Sequence, residues 1–462
     1  MAGESASRRL ARFALGLRLA EVPPAVRDRA LLLVLDTLGG GLASSALDFG
    51  RAVTAAARDL GGPPESSIVG SPERVGAASA VLANGTLAHG LDFDDTREGA
   101  IVHTGCVAVS TSLAVGEAVG ASGAAVLEAV IVAVETMCRV GLTVPGQLHA
   151  RHFHPTAVTG TFAAVAAAGR LRGLSEDQLT HAFGIAGSQA GGIIEYLADG
   201  TWTKRMHPGW AGHAGVTAVA LARHGFTGPE RVLEGGHGFY QAFAGGHETA
   251  VLDGLLATFG RTWELQNLTF KPYPCGSIAH PYMDCALRLR REHGVQADDV
   301  MEIRCRTAAG PVPRLWEPLA AKHRPPNGYA AKFSLPYLLA TMLVRGEVGL
   351  SAFTDEAVRD EAVLRLASRV SYELDPTIDY PRHFVGHVAV RRRDGGWVEA
   401  EQPHPRGGPD SPLTREDLEG KFRGNAAERL GSGVGAVIRE VLALPARPSV
   451  AALTALLRGE QP

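Results

Sequence analysis

From Val26 to about Arg223 the chain is so rich in Ala, Leu, Val and Gly that closely packed helices are the fold it can best bury itself in. Val126, Val130 and Val134, with Leu127 and Ile131, recur at the spacing that lines one face of a helix. The many small residues between such positions let helix axes approach closely. The longest apolar stretch, Gly123 to Val134, carries Glu128 and falls short of the roughly 18 residues a membrane span needs. It reads as a buried helix. Ser175, with Gln178 three residues on, forms a capping box that opens another.

After about Phe270 the texture changes. Pro272, Pro274 and Pro281 precede Met301–Thr307, which alternates in polarity as a half-exposed strand does. Val388–Gln402 reads as two strands joined by a turn at Asp394, Gly395 and Gly396. Between them, the run from Thr354 has helical periodicity with a capping residue at its start. Helical pattern returns at Leu413–Phe422 and Ser449–Gly459, and these segments are expected to pack on the first half.

A chain of 462 residues is long enough for two or three cores. Its five cysteines lack CxxC spacing, so neither a zinc site nor a disulfide framework is indicated, and reduced, cytoplasmic thiols are expected. The N-terminus mixes charges through its apolar part, unlike a secretory signal. With a net charge of −3 and dispersed basic residues, no nucleic-acid or membrane partner is expected.

Chemistry-bearing residues gather in a few motifs. In LAHGLDFDDT, a helical reading puts His89, Asp92 and Thr96 on one face with Asp94 pointing away. Three carboxylates within four residues repel one another, and burying one would raise its pKa. His103 follows in VHTGC. HFHPTAVTG supplies His152 and His154, where Pro155 suggests a turn into an Ala-rich helix. TWTKRMHPGWAGHAG holds Lys204, Arg205 and His207, and its adjacent cations suit a pocket for a di- or tricarboxylate. FKPYPCGSIAH places Lys271 at the junction of the two textures, where it could reach across a cleft. Cys275 beside it reads as structural. Gly-rich GIAGSQAGG lacks the spacing of a nucleotide loop and is expected to bring backbone near substrate at Ser188 and Gln189.

Together these motifs resemble the MmgE/PrpD family, whose members include 2-methylcitrate dehydratase, cis-aconitate decarboxylase and iminodisuccinate epimerase. The resemblance is concentrated in residues 84–240 and 268–340. It implies a mainly α fold: a large all-helical domain from residues 1–267 and 405–462, with a smaller α/β lid over 268–404, assembled as a homodimer. It implies a lyase without cofactor or metal, acting on a small carboxylate by proton transfer at carbon beside a carboxylate. Dehydration of a 2-methylcitrate-like acid is the first expectation, with decarboxylation, epimerisation or a non-catalytic carboxylate-binding role as alternatives. The scattered cysteines argue against an iron–sulfur cluster. Carried over by motif, Asp92, Thr96, His103 and His154 are expected to be catalytic. Lys204, Lys271, Arg205 and His207 are expected to bind substrate, with Tyr329 as the candidate for a tyrosine from the lid. Thr104 stands where relatives usually have proline.

Overall fold

The computed structural model describes residues 3–460. It is mainly helical, with small sheets, and two hydrophobic cores organise it. The larger core runs from Ala6 to Phe270 and takes in Leu418, Phe422, Val437 and Leu457 from the other end of the chain. The smaller runs from Tyr273 to Ala400.

Helices of the larger body include α1 (Pro24–Ser45), α2 (Ala77–His89), α3 (Gly105–Ala118), α4 (Gly123–Leu142), α5 (Pro155–Leu171) and α6 (Thr203–Arg223). Every residue of α5 from Pro155 to Gly169 is buried, so this helix is the axis of the bundle. Small residues decide the geometry. A Cβ on Gly209 of α6 would meet the Leu82 carbonyl oxygen of α2 at 2.2 Å, and one on Gly212 would meet Val81 at the same distance. The two helices therefore cross antiparallel in near contact, which brings the end of α2 to the start of α6. Gly160 of α5 faces both Val107 of α3 and Ala211 of α6. The first turns of α3, α5 and α6 thus converge on the last turn of α2, and that end of the bundle carries the site.

In the smaller body, strands β1 (Val300–Thr307), β2 (Val370–Leu374), β3 (Gly386–Arg392) and β4 (Trp397–Gln402) form one sheet in the order β2-β1-β3-β4. β1 runs parallel to β2 and antiparallel to β3, with Cys305 opposite both Tyr372 and Val388. Ile303, Cys305 and Thr307 point inward, as the alternation predicts. Helix α7 (His280–Glu292) covers β3 and β4, and α8 (Leu335–Arg345) packs on α7. Finally α9 (Arg415–Leu430), opened by the Thr414–Asp417 capping box, returns to α1, where Phe422 lies against Gly39.

One local expectation is corrected. The helix read from Thr354 begins only at Glu361, because the Asp360 side chain accepts the Ala362 N–H and starts it there; it ends at Ala367, before β2. No single helix among the described residues is long and apolar enough to cross a membrane.

Candidate active site

The helical reading of LAHGLDFDDT holds only to His89. Beyond it the chain turns, with Asp92 in the left-handed region at φ 54°, a conformation that Asp tolerates better than most residues. His89, Asp92 and Thr96 therefore share no helix face. Asp94, expected to point away, is buried, and its Oδ2 accepts a hydrogen bond from His89 Nδ1 at 2.7 Å.

Each of the loop's three carboxylates has its own partners, and repulsion persists only where Asp94 acts on Asp95. Asp92 Oδ1 accepts from Lys204 Nζ at 2.8 Å and from Lys271 Nζ at 2.9 Å. Burial alone would push this carboxyl up, but the two ammoniums outweigh it and hold it well below the usual carboxylate range. Asp94 is likewise brought down despite its burial, with His89 beside it donating a hydrogen bond that favours the charged form. Asp95 is the one raised, to about 6, by burial and then by Asp94. It caps the first turn of α3, accepting from the Thr104 N–H (2.9 Å), the Thr104 hydroxyl (2.7 Å) and the Gly105 N–H (2.7 Å). A proline at 104 would lack both Thr104 donors.

Four imidazoles cluster beside this loop. His103 Nδ1 lies 2.7 Å from the Asp95 carbonyl. A carbonyl only accepts, so Nδ1 carries the proton and Nε2 is left as the basic nitrogen. Thr96 Oγ1 is 3.1 Å from that Nδ1 and 2.8 Å from Ser277 Oγ of the smaller body. His154 precedes α5, its N–H donating to the Gly192 carbonyl, and its Nδ1 is 3.1 Å from His207 Nδ1. The His89 ring lies 4.9 Å from that of His103 and 5.6 Å from that of His154. Burial, then Lys271, pushes His103 down to about 3; burial, then His89, takes His207 to about 4; His154 lies well below its ordinary value through burial and His207. All are neutral imidazoles at neutral pH. Nitrogens of His89, His103 and His154 come within 4.8 Å of one another, close enough to hold a metal ion. The Lys204 charge that helps keep these rings neutral also opposes a cation there.

A cleft between the two bodies is walled by Asp92, Thr96, His103, His154 and Lys204 from the larger and by Ser277, Arg314, Leu315, Phe333 and Phe384 from the smaller. The other expected residues stand behind or beside this wall. Lys271 is fully buried under Asp92. His207 backs His154. Arg205 is not aimed at the cleft: its guanidinium lies 4.2 Å from the Phe49 ring and 4.1 Å from the Tyr329 ring. Tyr329 lines an adjoining chamber that shares Tyr196, Leu197, Arg314 and Phe333 with the cleft. His152 is exposed. Ser188 and Gln189 do not reach the cleft, since GIAGSQAGG packs Gly184 on Gly228–Pro229 and Gly187 on Val232. The Cys275 thiol is buried against Met283, and burial pushes it up to about 12, far from a nucleophile.

Sequence reasoning missed His149, Tyr196, Ser277 and Arg314, which line the cleft. Ser277 lies within the recognised FKPYPCGSIAH motif and could have been found there. Arg314 sits in PVPRLWEP with no local signal of chemistry.

A helical bundle with an α/β lobe holds a buried carboxylate–lysine–histidine cluster in the cleft between them, an arrangement suited to moving protons. The chain belongs to the MmgE/PrpD family: residues 8–252 match the MmgE/PrpD N-terminal domain and residues 273–444 the MmgE/PrpD C-terminal domain. It is 28% identical to the cis-aconitate decarboxylase-like protein oryM of Aspergillus oryzae, over 96% of this chain and 95% of that protein. It is also 28% identical to cis-aconitate decarboxylase of Homo sapiens (97% and 93% covered) and 29% identical to that of Mus musculus (96% and 91% covered).

Proposed function

We propose that the protein is a lyase that decarboxylates a cis-aconitate-like unsaturated tricarboxylate by proton transfer at carbon beside a carboxylate. The carrying observation is that His103, His154, Asp92 and Lys204 meet in one cleft, at the converging first turns of three helices. Helix N-termini favour anions, and Lys204 and Arg314 add cations to the cleft wall. Decarboxylase relatives favour this reading over dehydration of a 2-methylcitrate-like acid.

In such a substrate, the departing carboxylate sits on a CH2 group next to the double bond. Breaking its C–C bond releases carbon dioxide and leaves the electron pair on an allylic carbanion. The pair moves through the double bond to the carbon beside a second carboxylate, which takes up one proton. The enzyme must supply that proton and stabilise the building charge. His103 is the proton carrier in this scheme: neutral in the empty site, it takes a proton on Nε2 when the trianion enters, then gives it to carbon. Thr96 fixes the ring through Nδ1. Lys204 neutralises a remaining carboxylate, with Lys271 holding Asp92 in place behind it. His154, backed by His207, is the second acid or base along the cleft.

Proton NMR in D2O tests this directly, with cis-aconitate, 2-methylcitrate and aspartate-derived diacids offered in turn. The expected result is loss of carbon dioxide from cis-aconitate, with one deuterium entering the carbon beside a carboxylate. Turnover of 2-methylcitrate alone would replace decarboxylation with dehydration. Ligand binding without exchange or turnover for any of them would leave a carboxylate-binding protein.

A further inference from the structure

Three consecutive carbonyls of the loop after α2 each accept a hydrogen bond from a buried lysine, and the lysines come from three distant parts of the chain. Lys332, in the smaller body, donates to the Leu91 carbonyl at 2.7 Å. Lys271, at the junction, donates to the Asp92 carbonyl at 3.0 Å. Lys421, in α9, donates to the Phe93 carbonyl at 2.7 Å.

The two outer lysines also grip a second segment. Lys332 donates to the Pro274 carbonyl at 2.6 Å. Lys421 donates to the Lys271 carbonyl at 2.9 Å, and its ammonium lies 2.7 Å from Asp36 Oδ1. Neither lines the cleft, so neither has direct access to substrate. The loop between them holds Asp92 at φ 54°, a left-handed conformation that Asp tolerates better than most residues but still at some cost.

Lys332 is the costlier of the two to bury. Lys421 has a carboxylate against its ammonium, whereas Lys332 has two carbonyls and the Phe353 ring, 4.2 Å away. Burial pushes it down to about 7, although Asp92 opposes the shift. An apolar side chain would pack there without that cost. What the lysine gives in return is a tie between the smaller body and the backbone beside Asp92.

We propose that Lys332 is a positioning residue: when the smaller body is docked, its ammonium fixes the Leu91 carbonyl and so sets the Asp92 carboxylate toward Lys204 and the cleft, while Lys421 braces the other side of the loop. The inference takes Asp92 as part of the site, as in the proposed function. Its first readout needs no substrate, so failure of one does not mimic failure of the other.

The test compares full-length wild type with K332M and K332Q by amide hydrogen exchange and, separately, by turnover of cis-aconitate. Exchange in peptides spanning residues 88–96 is expected to rise about fivefold or more, with α5 and α8 unchanged, as local opening of one segment requires. The kcat is expected to fall about 10- to 100-fold with KM within about threefold, the pattern of a displaced catalytic group. K332Q keeps a donor for one carbonyl and is expected to lie between the other two. Should K332M not fold, K332Q is read in the same assays. Unchanged loop exchange in a folded variant overturns the proposal. So does loss of protection throughout the smaller body, or failure of K332Q to fold, since either makes Lys332 a structural residue only. If wild type does not turn over cis-aconitate, the exchange result still decides the role of Lys332.

Discussion

Lys271 Nζ lies 2.9 Å from Oδ1 of Asp92 and 3.0 Å from its carbonyl oxygen, and Lys271 is completely buried. Lys204 Nζ approaches the same Oδ1 at 2.8 Å. One carboxylate oxygen thus serves two ammoniums, and the cluster carries one positive charge in excess. Removing one partner of a buried ion pair typically costs about 3–5 kcal/mol, because the other charge is stranded. K271M should therefore leave the Lys204–Asp92 pair intact and lose less than D92N, which strands two ammoniums. The double variant K271M/D92N should be more stable than the sum of the single losses predicts. Urea unfolding of the four proteins measures this, and strictly additive losses would mean the charges are not coupled.

The buried imidazoles make stability depend on pH. His103 and His280 are pushed down to about 3 and His207 to about 4, in each case first by burial. Unfolded, each would bind a proton near 6.5. Between these values the unfolded chain holds more of these protons than the folded one, so the contribution of these histidines to stability is fully present above about 6.5 and declines as pH falls. The slope is at most about 1.4 kcal/mol per pH unit for each histidine. Asp95, raised to about 6, opposes this as pH falls, and so do Asp36, Glu98, Glu135 and Asp284, each raised first by burial. Thermal unfolding at constant ionic strength should show the Tm dropping from pH 7 toward pH 6, before the raised carboxyls take up protons; a flat profile there would mean these rings are hydrated in solution.

Much of the fold was legible because its signals are local. The Ser175–Gln178 capping box, the hairpin at Asp394–Gly396 and the alternation of Met301–Thr307 each need only a few adjacent residues, and the structure has all three. Motif resemblance brought Asp92, Thr96, His103, His154 and Lys204 to one cleft. Other features were beyond reach because they rest on distant partners. The Leu91 and Phe93 carbonyls, just past the end of α2 at His89, are bound by Lys332 and Lys421, 241 and 328 residues away. Asp94 faces inward because the loop leaves the helix there, which no periodicity reports. Arg205 reads from its neighbours as an anion clamp, yet the rings of Phe49 and Tyr329 hold it.

Thr104 offers a test of one local departure from the family pattern. Both its N–H and its hydroxyl bind Asp95 Oδ2. T104V removes only the hydroxyl and should cost about 1 kcal/mol, while T104P removes both donors and should cost about 2–3 kcal/mol. Because the Asp95 carbonyl also orients His103, T104P should lower kcat as well. Chemical denaturation and steady-state rates of the two variants give the comparison. Equal losses would show that the backbone N–H contributes nothing.

Turnover without a metal is the outcome expected from the Lys204 charge beside the histidine cluster. The three-histidine cluster has the spacing of a metal site, but the ammonium of Lys204 bears on all three rings. Prolonged dialysis against a chelator should leave turnover and Tm unchanged. Loss of turnover on chelation, restored by one divalent metal, would assign the cluster to that ion instead.

Substrate binding should take up a proton. His103 is held neutral by burial and by the Lys271 charge, and its Nδ1–H is committed to the Asp95 carbonyl, so Nε2 is the nitrogen that gains. A tricarboxylate entering the cleft brings negative charge against that ring and raises its proton affinity, by the same Coulombic rule that lowers Asp92 beside its lysines. A saturated tricarboxylate such as tricarballylate cannot be decarboxylated by the allylic route, so its binding can be measured at equilibrium. Between about pH 7 and 8.5, where this ligand is fully ionised, the Kd should weaken by about tenfold per pH unit if one proton accompanies each trianion. Calorimetry in buffers of different ionisation enthalpy should count that proton directly. In H103Q the tautomer-fixing contact can be kept while the basic nitrogen is gone, so both the pH dependence and the buffer dependence should disappear although the ligand still binds. Uptake that persists in H103Q would move the proton to His154 or His89 and make His103 an orienting residue.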